Sequence, residues 1–190
     1  MAEIEQATRV EAAEYIERLR AINYSGVGYV ERVVISVVHD DHRSVAEAHI
    51  IPGVGVEGDH AWKLWWRGRR IDGREVSAMN AEVLDALEIS YDVPGDNIIV
   101  RGFDLSTLEK GDTIRIGDLI FTATGASHNP CATFERRTSP AKKEAIGQCR
   151  LRGTMLDAIE EGRIRVGDVV ERIFLGQQPL PLLAGENTKE

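Results

Sequence analysis

The chain has 190 residues, of which 43% are hydrophobic and 28% charged, enough for one domain with a sizeable core and the balance of a folded globular protein. Its formal charge of −8 argues against general binding to nucleic acid or to an anionic membrane, both of which favour net positive surfaces. No apolar run approaches the roughly eighteen residues of a membrane span, and two cysteines, Cys131 and Cys149, are too few for a disulfide framework. The acidic opening "MAEIEQATRVEAAEYIERLR" lacks the basic-then-apolar layout of a secretion signal, so a cytoplasmic location with free thiols is the expectation.

In chain order, residues 4 to 20 carry Ile4, Ala7, Val10, Ile16 and Leu19 at mixed three- and four-residue spacing, which predicts an amphipathic helix. "SGVGYVERVVISVVHDD" (25 to 41) is β-branched and predicts a strand, and "SVAEAHIIPGVGVEGDH" (44 to 60) runs from a strand into a turn where Gly53, Gly55 and Gly58 permit backbone angles closed to other residues. Next, "KLWWRGRR" concentrates Lys63, Arg67, Arg69 and Arg70 around Trp62, Trp65 and Trp66, a stretch suited to an anionic or flat ligand, or else a solvated loop with its rings docked on the core.

"VSAMNAEVLDALEI" (76 to 89) predicts a helix capped by Ser77, with Met79, Val83, Leu84 and Leu87 on one apolar face. From 91 to 125, short β-rich runs alternate with Pro-Gly and Gly-Asp turns, a rhythm that favours an antiparallel barrel or sandwich over a parallel sheet. "LEKGDTIRIGDLI" (108 to 120) is echoed by "IEEGRIRVGDVVE" (159 to 171), each read as turn, strand, tight turn and strand. "TSPAKKEAIGQC" predicts a helix capped by Ser139, opened by Pro140 and stopped by Gly147, and "GTMLDAIEEG" predicts another between Thr154 and Gly162.

The candidate chemistry centres on "GASHNPCATFERR" (125 to 137). Asn129 as cap and Pro130 as first residue would put Cys131 in the first turn of a short helix, where the helix dipole, with Arg136 or Arg137 nearby, lowers a thiol's pKa. The plainer alternative is a small buried filler behind a turn. His128, three residues earlier, allows a Cys-His pair for nucleophilic catalysis, or two zinc ligands completed by Cys149 or His60. Asp59 and Asp96 are candidate carboxylate bases, although each adjoins glycine, where Asp is also an ordinary turn residue.

Taken in order, "GVEGDHAW", "REVSAMNAEVLDAL", "PGDNIIVRGFDLSTLEKGDTIRIGDLIFTATG", "NPCATF" and "CRLRGTMLDAIEEGRIRVGDVVERI" give a chain that resembles the MOSC family, named for the C-terminal domain of molybdenum cofactor sulfurases. The likeness runs over about residues 27 to 173 and is strongest to the small stand-alone bacterial members. It implies a mainly β fold with α: a MOSC-type β-barrel, like the barrel of pyruvate kinase, with short helices around it. The expected layout is an N-terminal helix over 1–24, the barrel domain over 25–175 and a C-terminal tail over 176–190.

The resemblance also implies the molybdenum cofactor (molybdopterin) as cofactor. Cys131 matches the family cysteine, a catalytic residue that either ligates molybdenum or carries sulfur as a persulfide. Gly58, Asp59, His60, Asn97 and Arg101 take cofactor-binding positions, Gly102 matches the family glycine after the Asn, and Arg67 of the basic tryptophan stretch is a further cofactor-binding candidate as a cation suited to the cofactor's phosphate. Pyridoxal phosphate binding is a further property implied for such domains. The implied activity is reduction of N-hydroxylated compounds or sulfur transfer, with a small-molecule substrate and an electron-donor or cofactor-acceptor protein, and with neither nucleic acid nor membrane as partner. A non-catalytic module that holds the cofactor or a small anion for delivery is the alternative. The chain departs from many members at the Gly-Asp loop, where His60 is followed by Ala61 and Trp62 instead of a further basic residue.

Overall fold

The computed structural model describes residues 2–38, 40–60, 65–66 and 69–173. The expected tail over 176–190 lies outside the described residues, as do Trp62, Lys63 and Arg67.

Seven strands close a barrel. They are β1 (Gly28–Val38), β7 (Val76–Asn80), β8 (Ile98–Arg101), β9 (Thr113–Ile116), β10 (Leu119–Ala123), β11 (Thr154–Ala158) and β13 (Val169–Ile173). Their order is β13-β9-β10-β11-β7-β8-β1, and pairing of Gly28 with Val170 and Tyr29 with Val169 shuts the ring. Closure removes the open sheet edges through which strands pair with other chains. Outside the ring, β2 (Asp41–Val45) folds back on β1, while β3 (Glu47–Ile51), β4 (Gly55–Val56) and β12 (Gly162–Arg165) make a small second sheet. β5 (Trp65–Trp66) pairs with β6 (Arg69–Arg70).

The barrel is antiparallel except between β7 and β8, where Ala78, Met79 and Asn80 align in parallel with Ile98, Ile99 and Val100. A parallel pair needs a crossover, and here α2 (Ala81–Ala86) provides it. Strands covered by a crossover helix are buried on both faces. Accordingly Ala78, Ile98 and Val100 point into the barrel with Phe121, Ile114 and Leu156, while Met79 and Ile99 point out into a second core shared with the helices. That second core is filled by Val83, Leu84 and Leu87 around α2, Phe134 of α3 (Ala132–Arg137), Ala145 and Ile146 of α4 (Pro140–Cys149), and Ala12, Tyr15 and Leu19 of α1 (Ala2–Arg20).

Several sequence expectations are corrected. Residues 76–80 are a strand and not the start of a helix, and Asn80, not Ser77, occupies the cap of α2. Their apolar residues are buried as expected, but a strand buried on both faces shows no alternation, and so short an apolar run cannot be told from a helical one by its period. Residues 154–158 are likewise strand β11, because pairing with β10 and β7 overrides the weak local helix signal. The buried stripe of α1 is Ala12, Tyr15 and Leu19, whereas Val10 is 54% exposed. α4 does begin at Pro140 with the Ser139 hydroxyl accepting from the Lys142 amide, yet it runs past Gly147 to a left-handed Arg150. The two Gly-Asp echoes form turn–strand–turn–strand units as read, β9 with β10 and β12 with β13, but β12 pairs with β3 in the second sheet. No helix among the described residues is long and apolar enough to cross a membrane.

Phe121 is fully buried within the barrel core. Phe121→Ala should cost about 3–5 kcal/mol, read as a lowered midpoint in urea unfolding with little change in slope.

Candidate functional site

A cleft of about 450 Å³ opens where the crossover delivers the chain back to the barrel. Its floor is Asp96 and Asn97, the two residues that lead into β8, both 1% exposed. Two buried polar residues side by side must find partners or cost several kcal/mol, and each is held on several sides.

Asn97 knits three segments. Its Oδ1 accepts from the Ser77 amide and hydroxyl, both at 3.1 Å, and its Nδ2 donates to the Val34 carbonyl at 3.3 Å and to Asp59 Oδ2 at 2.7 Å. Asp59 in turn accepts from the Ser36 amide through Oδ1 at 2.6 Å, and the His60 amide donates to the Ser36 carbonyl at 2.8 Å. The Gly-Asp-His loop is thereby tied to the middle of β1, and the positive φ of Gly58 (+89°) makes the bend that brings it there. His60 and Asn97 line the cleft directly, while Asp59 acts through Asn97.

Asp96 divides its carboxylate between two partners. Arg152, 7% exposed, donates from Nη1 to Oδ2 at 2.5 Å, and His128 Nε2 lies 3.4 Å from Oδ1. The Arg152 guanidinium also sits 5.1 Å from the centre of the Phe134 ring, a cation–π contact that anchors it to α3. The sequence marked Asp96 as a carboxylate base or a turn residue. The structure makes it the buried counter-ion of an arginine that no motif had singled out. Arg152 is separated from Asp96 by 56 residues, so no spacing rule could have found it.

Cys131 is exposed and lies on the wall of this cleft beside His128 and Arg152. It does not stand in the first turn behind an Asn129 cap. It is itself the cap of α3, with φ −92° and ψ 177°, and its carbonyl accepts from the Glu135 amide at 3.1 Å. Asn129 instead donates to the Ser127 hydroxyl. The Cys131 side chain closes no capping hydrogen bond of ordinary length. Partial burial pushes its thiol up, but the amides of Phe134 and Thr133, the Thr133 hydroxyl and the Arg152 charge together outweigh this, so the thiol lies below its usual range. The buried-filler alternative is thus set aside, and of the two arginines expected to help, Arg137 reaches the cleft while Arg136 pairs with Asp40 at 3.0 Å.

The remaining cleft residues are cationic or polar. Arg74 donates to the Ser127 carbonyl at 3.1 Å, and Arg137 donates to Asp40 from Nε at 2.7 Å. Ser36 and His42, opposite one another across β1 and β2, both line the cleft, next to a bulge between Ser36 and Val38. Three buried polar atoms of these side chains, Ser36 Oγ, Arg74 Nε and Arg152 Nε, have no hydrogen-bond partner among the described residues.

Other expected residues lie elsewhere. Arg101 is not in the cleft: its guanidinium pairs with Glu31 and Asp85, both at 2.9 Å, and with the Tyr91 hydroxyl at 2.6 Å. Gly102 serves packing, since its amide donates to Glu82 at 2.6 Å and a Cβ there would fall 2.7 Å from Ser25 Oγ. Arg67 lies outside the described residues. Among the described residues no three His, Cys, Asp or Glu side chains gather as a ligand set, and Cys149 packs against the helical core with burial pushing its thiol up, so the His128–Cys131–Cys149 or His60 zinc set is not assembled.

Two measurements follow from this geometry. Asp96→Asn leaves Arg152 buried without its charge partner and should cost about 3–5 kcal/mol in denaturant unfolding. Since the thiolate is the nucleophile, alkylation of Cys131 should reach its plateau at lower pH than alkylation of Cys149, followed by peptide mass spectrometry across a pH series.

A family model for the MOSC domain matches residues 71–171, just over half of the chain. No curated protein sequence matches it. Among solved structures the fold is similar to that of the YUAD protein from Bacillus subtilis, at TM-score 0.63 and 18% identity over 76% of this chain and 94% of that one. It is also similar to YiiM from Geobacillus stearothermophilus (TM-score 0.58, 15% identity, 80% of this chain and 77% of that one) and to YiiM from Escherichia coli (0.56, 15%, 76% and 69%). YiiM is a MOSC-domain protein, and the closed barrel with its few short helices is the fold these structures share. The family is associated with molybdenum cofactor binding. With its cysteine, its Gly-Asp loop and its Asp-Asn pair drawn to one cleft of that barrel, the chain belongs to the MOSC family.

Proposed function

We propose that the cleft binds the molybdenum cofactor, with the Cys131 sulfur as the protein's ligand to the metal, and that the protein reduces N-hydroxylated compounds. The observation that carries this reading is an exposed thiol, held toward its thiolate form, on the wall of a cleft to which Arg74, Arg137 and Arg152 all contribute. Soft thiolate is a preferred donor for a soft metal centre, and guanidinium is the side chain best suited to a phosphate.

The residues present fit such a group. The buried donors Ser36 Oγ, Arg74 Nε and Arg152 Nε lack partners among the described residues, which suits an acceptor-rich ligand. One thiolate suffices for a metal whose other donors come with the pterin, so the lack of a three-residue ligand cluster among the described residues is no obstacle. When bound, the group supplies two-electron redox chemistry. The chain's own part is to fix it through Cys131, meet its negative charge with the arginines, and hold the floor rigid through Asn97 and the Asp96–Arg152 pair. Asp59 contributes by positioning Asn97, and His60 through its place on the wall. Arg101, expected as a cofactor contact, is not proposed as one, because its guanidinium is engaged outside the cleft. Pyridoxal phosphate is not proposed, as no lysine lines the cleft among the described residues.

A second reading keeps the same thiolate as a sulfur carrier. It is favoured by the exposure of Cys131, which leaves the sulfur open to a donor protein. Delivery of the cofactor without turnover is the non-catalytic form of the proposal. Purified from a host that makes the cofactor, the wild-type chain should contain molybdenum and reduce an N-hydroxylated base analogue when given an electron donor, and Cys131→Ser should lose both. Retention of full metal content and rate by Cys131→Ser overturns the proposal. Molybdenum without reduction favours delivery, and an added sulfur on Cys131 in intact-mass spectra, without molybdenum, favours the carrier.

A further inference from the structure

His42 has no part in the sequence motifs and is not adjacent to Cys131 in the chain, yet the fold builds a place for it. Its Nδ1 lies 2.7 Å from the Asp92 carbonyl oxygen. A carbonyl only accepts, so Nδ1 carries the hydrogen and, in the neutral ring, the lone pair falls to Nε2. The edge bearing Nε2 and Cε1 lies over Gly95, where a Cβ would fall 2.7 and 2.6 Å from those atoms, and Gly95 has the positive φ (+76°) that glycine adopts without strain. Glycine at that position therefore leaves the ring its seat. His42 and Gly95 both line the cleft that holds Cys131, and the residue opposite His42 across the strands is Ser36, 1% exposed, whose hydroxyl has no partner among the described residues. A bulge beside the pair, between Ser36 and Val38, is the device by which strands redirect side chains next to active sites.

We infer that His42 is the proton carrier of the cleft, exchanging a proton with bound substrate through Nε2 while Nδ1 stays on the Asp92 carbonyl. The inference rests on the reductase reading given above. Conversion of an N-hydroxyl to an N–H breaks the N–O bond and forms an N–H bond, and it consumes two electrons and two protons and releases water. The electrons come from an external carrier of the ferredoxin or flavoprotein class. The imidazolium gives its Nε2 proton to the departing hydroxyl, the second proton reaches nitrogen from solvent, and the ring recovers its own proton from solvent. Charged groups facing the ring are Asp40 and Asp41 on its hairpin, Asp92 on the crossover loop, and Arg136 and Arg137 on α3. Across the cleft stand Arg74, His60, Cys131 and the Arg152–Asp96–His128 group. Since the acid form acts, the rate should fall as pH rises through the imidazole's titration.

The test separates a proton carrier from a ring that merely pins the loop. In His42→Asn the amide nitrogen falls near the place of Nδ1 and can keep the bond to Asp92, but nothing replaces Nε2. With molybdenum content equal to wild type, this variant should lose about 10²–10⁴-fold in kcat and lose the pH limb, at unchanged Tm. Gly95→Ala should lose rate as well by displacing the ring. Independently of any cofactor, long-range proton–nitrogen correlation spectra of the ligand-free chain should show neutral His42 as the Nδ1–H tautomer. An Nε2–H tautomer, or a His42→Asn enzyme with wild-type kcat and pH profile, overturns the inference. Absence of molybdenum from the wild-type chain would instead refute the proposed function, and the tautomer measurement would still support or overturn the assignment of His42.

Discussion

Burial of the neighbours Asp96 and Asn97 just before β8 is the constraint around which the cleft is organised. A carboxylate and an amide removed from water must be paired, and breaking a buried ion pair costs far more than an exposed one contributes. Asp96 recruits Arg152 from the entry to β11 and His128 from the loop before α3. Asn97 recruits Ser77 at β7, Val34 on β1 and Asp59 in the glycine loop. Five segments distant in sequence are thus fixed against one dipeptide, and the side chains they carry are held by the same bonds that stabilise the barrel.

The same arrangement explains how a chain of charge −8 presents a cationic cleft. The acidic excess is spread over exposed surface, where several carboxylates pair with arginines, as in Arg115 with Glu171 and Arg163 with Glu47. In the cleft the only carboxylate among the described lining residues is Asp96, already committed to Arg152 and His128. Net charge therefore bears on solubility and long-range encounter, while the local charge of the cleft is set within a few ångströms by Arg74, Arg137 and Arg152.

The parallel pairing of β7 with β8 connects architecture to chemistry. In an otherwise antiparallel barrel it forces a crossover, and the returning loop carries Asp92, Gly95, Asp96 and Asn97 to one end of the sheet. α2 covers the outer face of the two strands, which makes Met79 and Ile99 core residues of the helical layer. The crossover thus supplies both the second core and one wall of the cleft.

The order of the motifs determined the family and the barrel class and singled out Cys131 as the candidate thiol, because turn glycines, β-branched runs and a capping Ser-Pro pair are local signals that survive without a fold. Strand boundaries were less legible: at 76–80 and 154–158 the local pattern favoured a helix, and only pairing partners and two-sided burial made those residues strands. What the tertiary structure alone decided is the company each residue keeps. It took Arg101 out of the candidate site and brought Arg152 in, moved Asp59 behind Asn97, and made Cys131 the cap of its helix instead of a residue inside it. Ion pairs and hydrogen bonds between residues dozens of positions apart have no sequence period, so a motif can single out a thiol while only the folded chain shows what faces it.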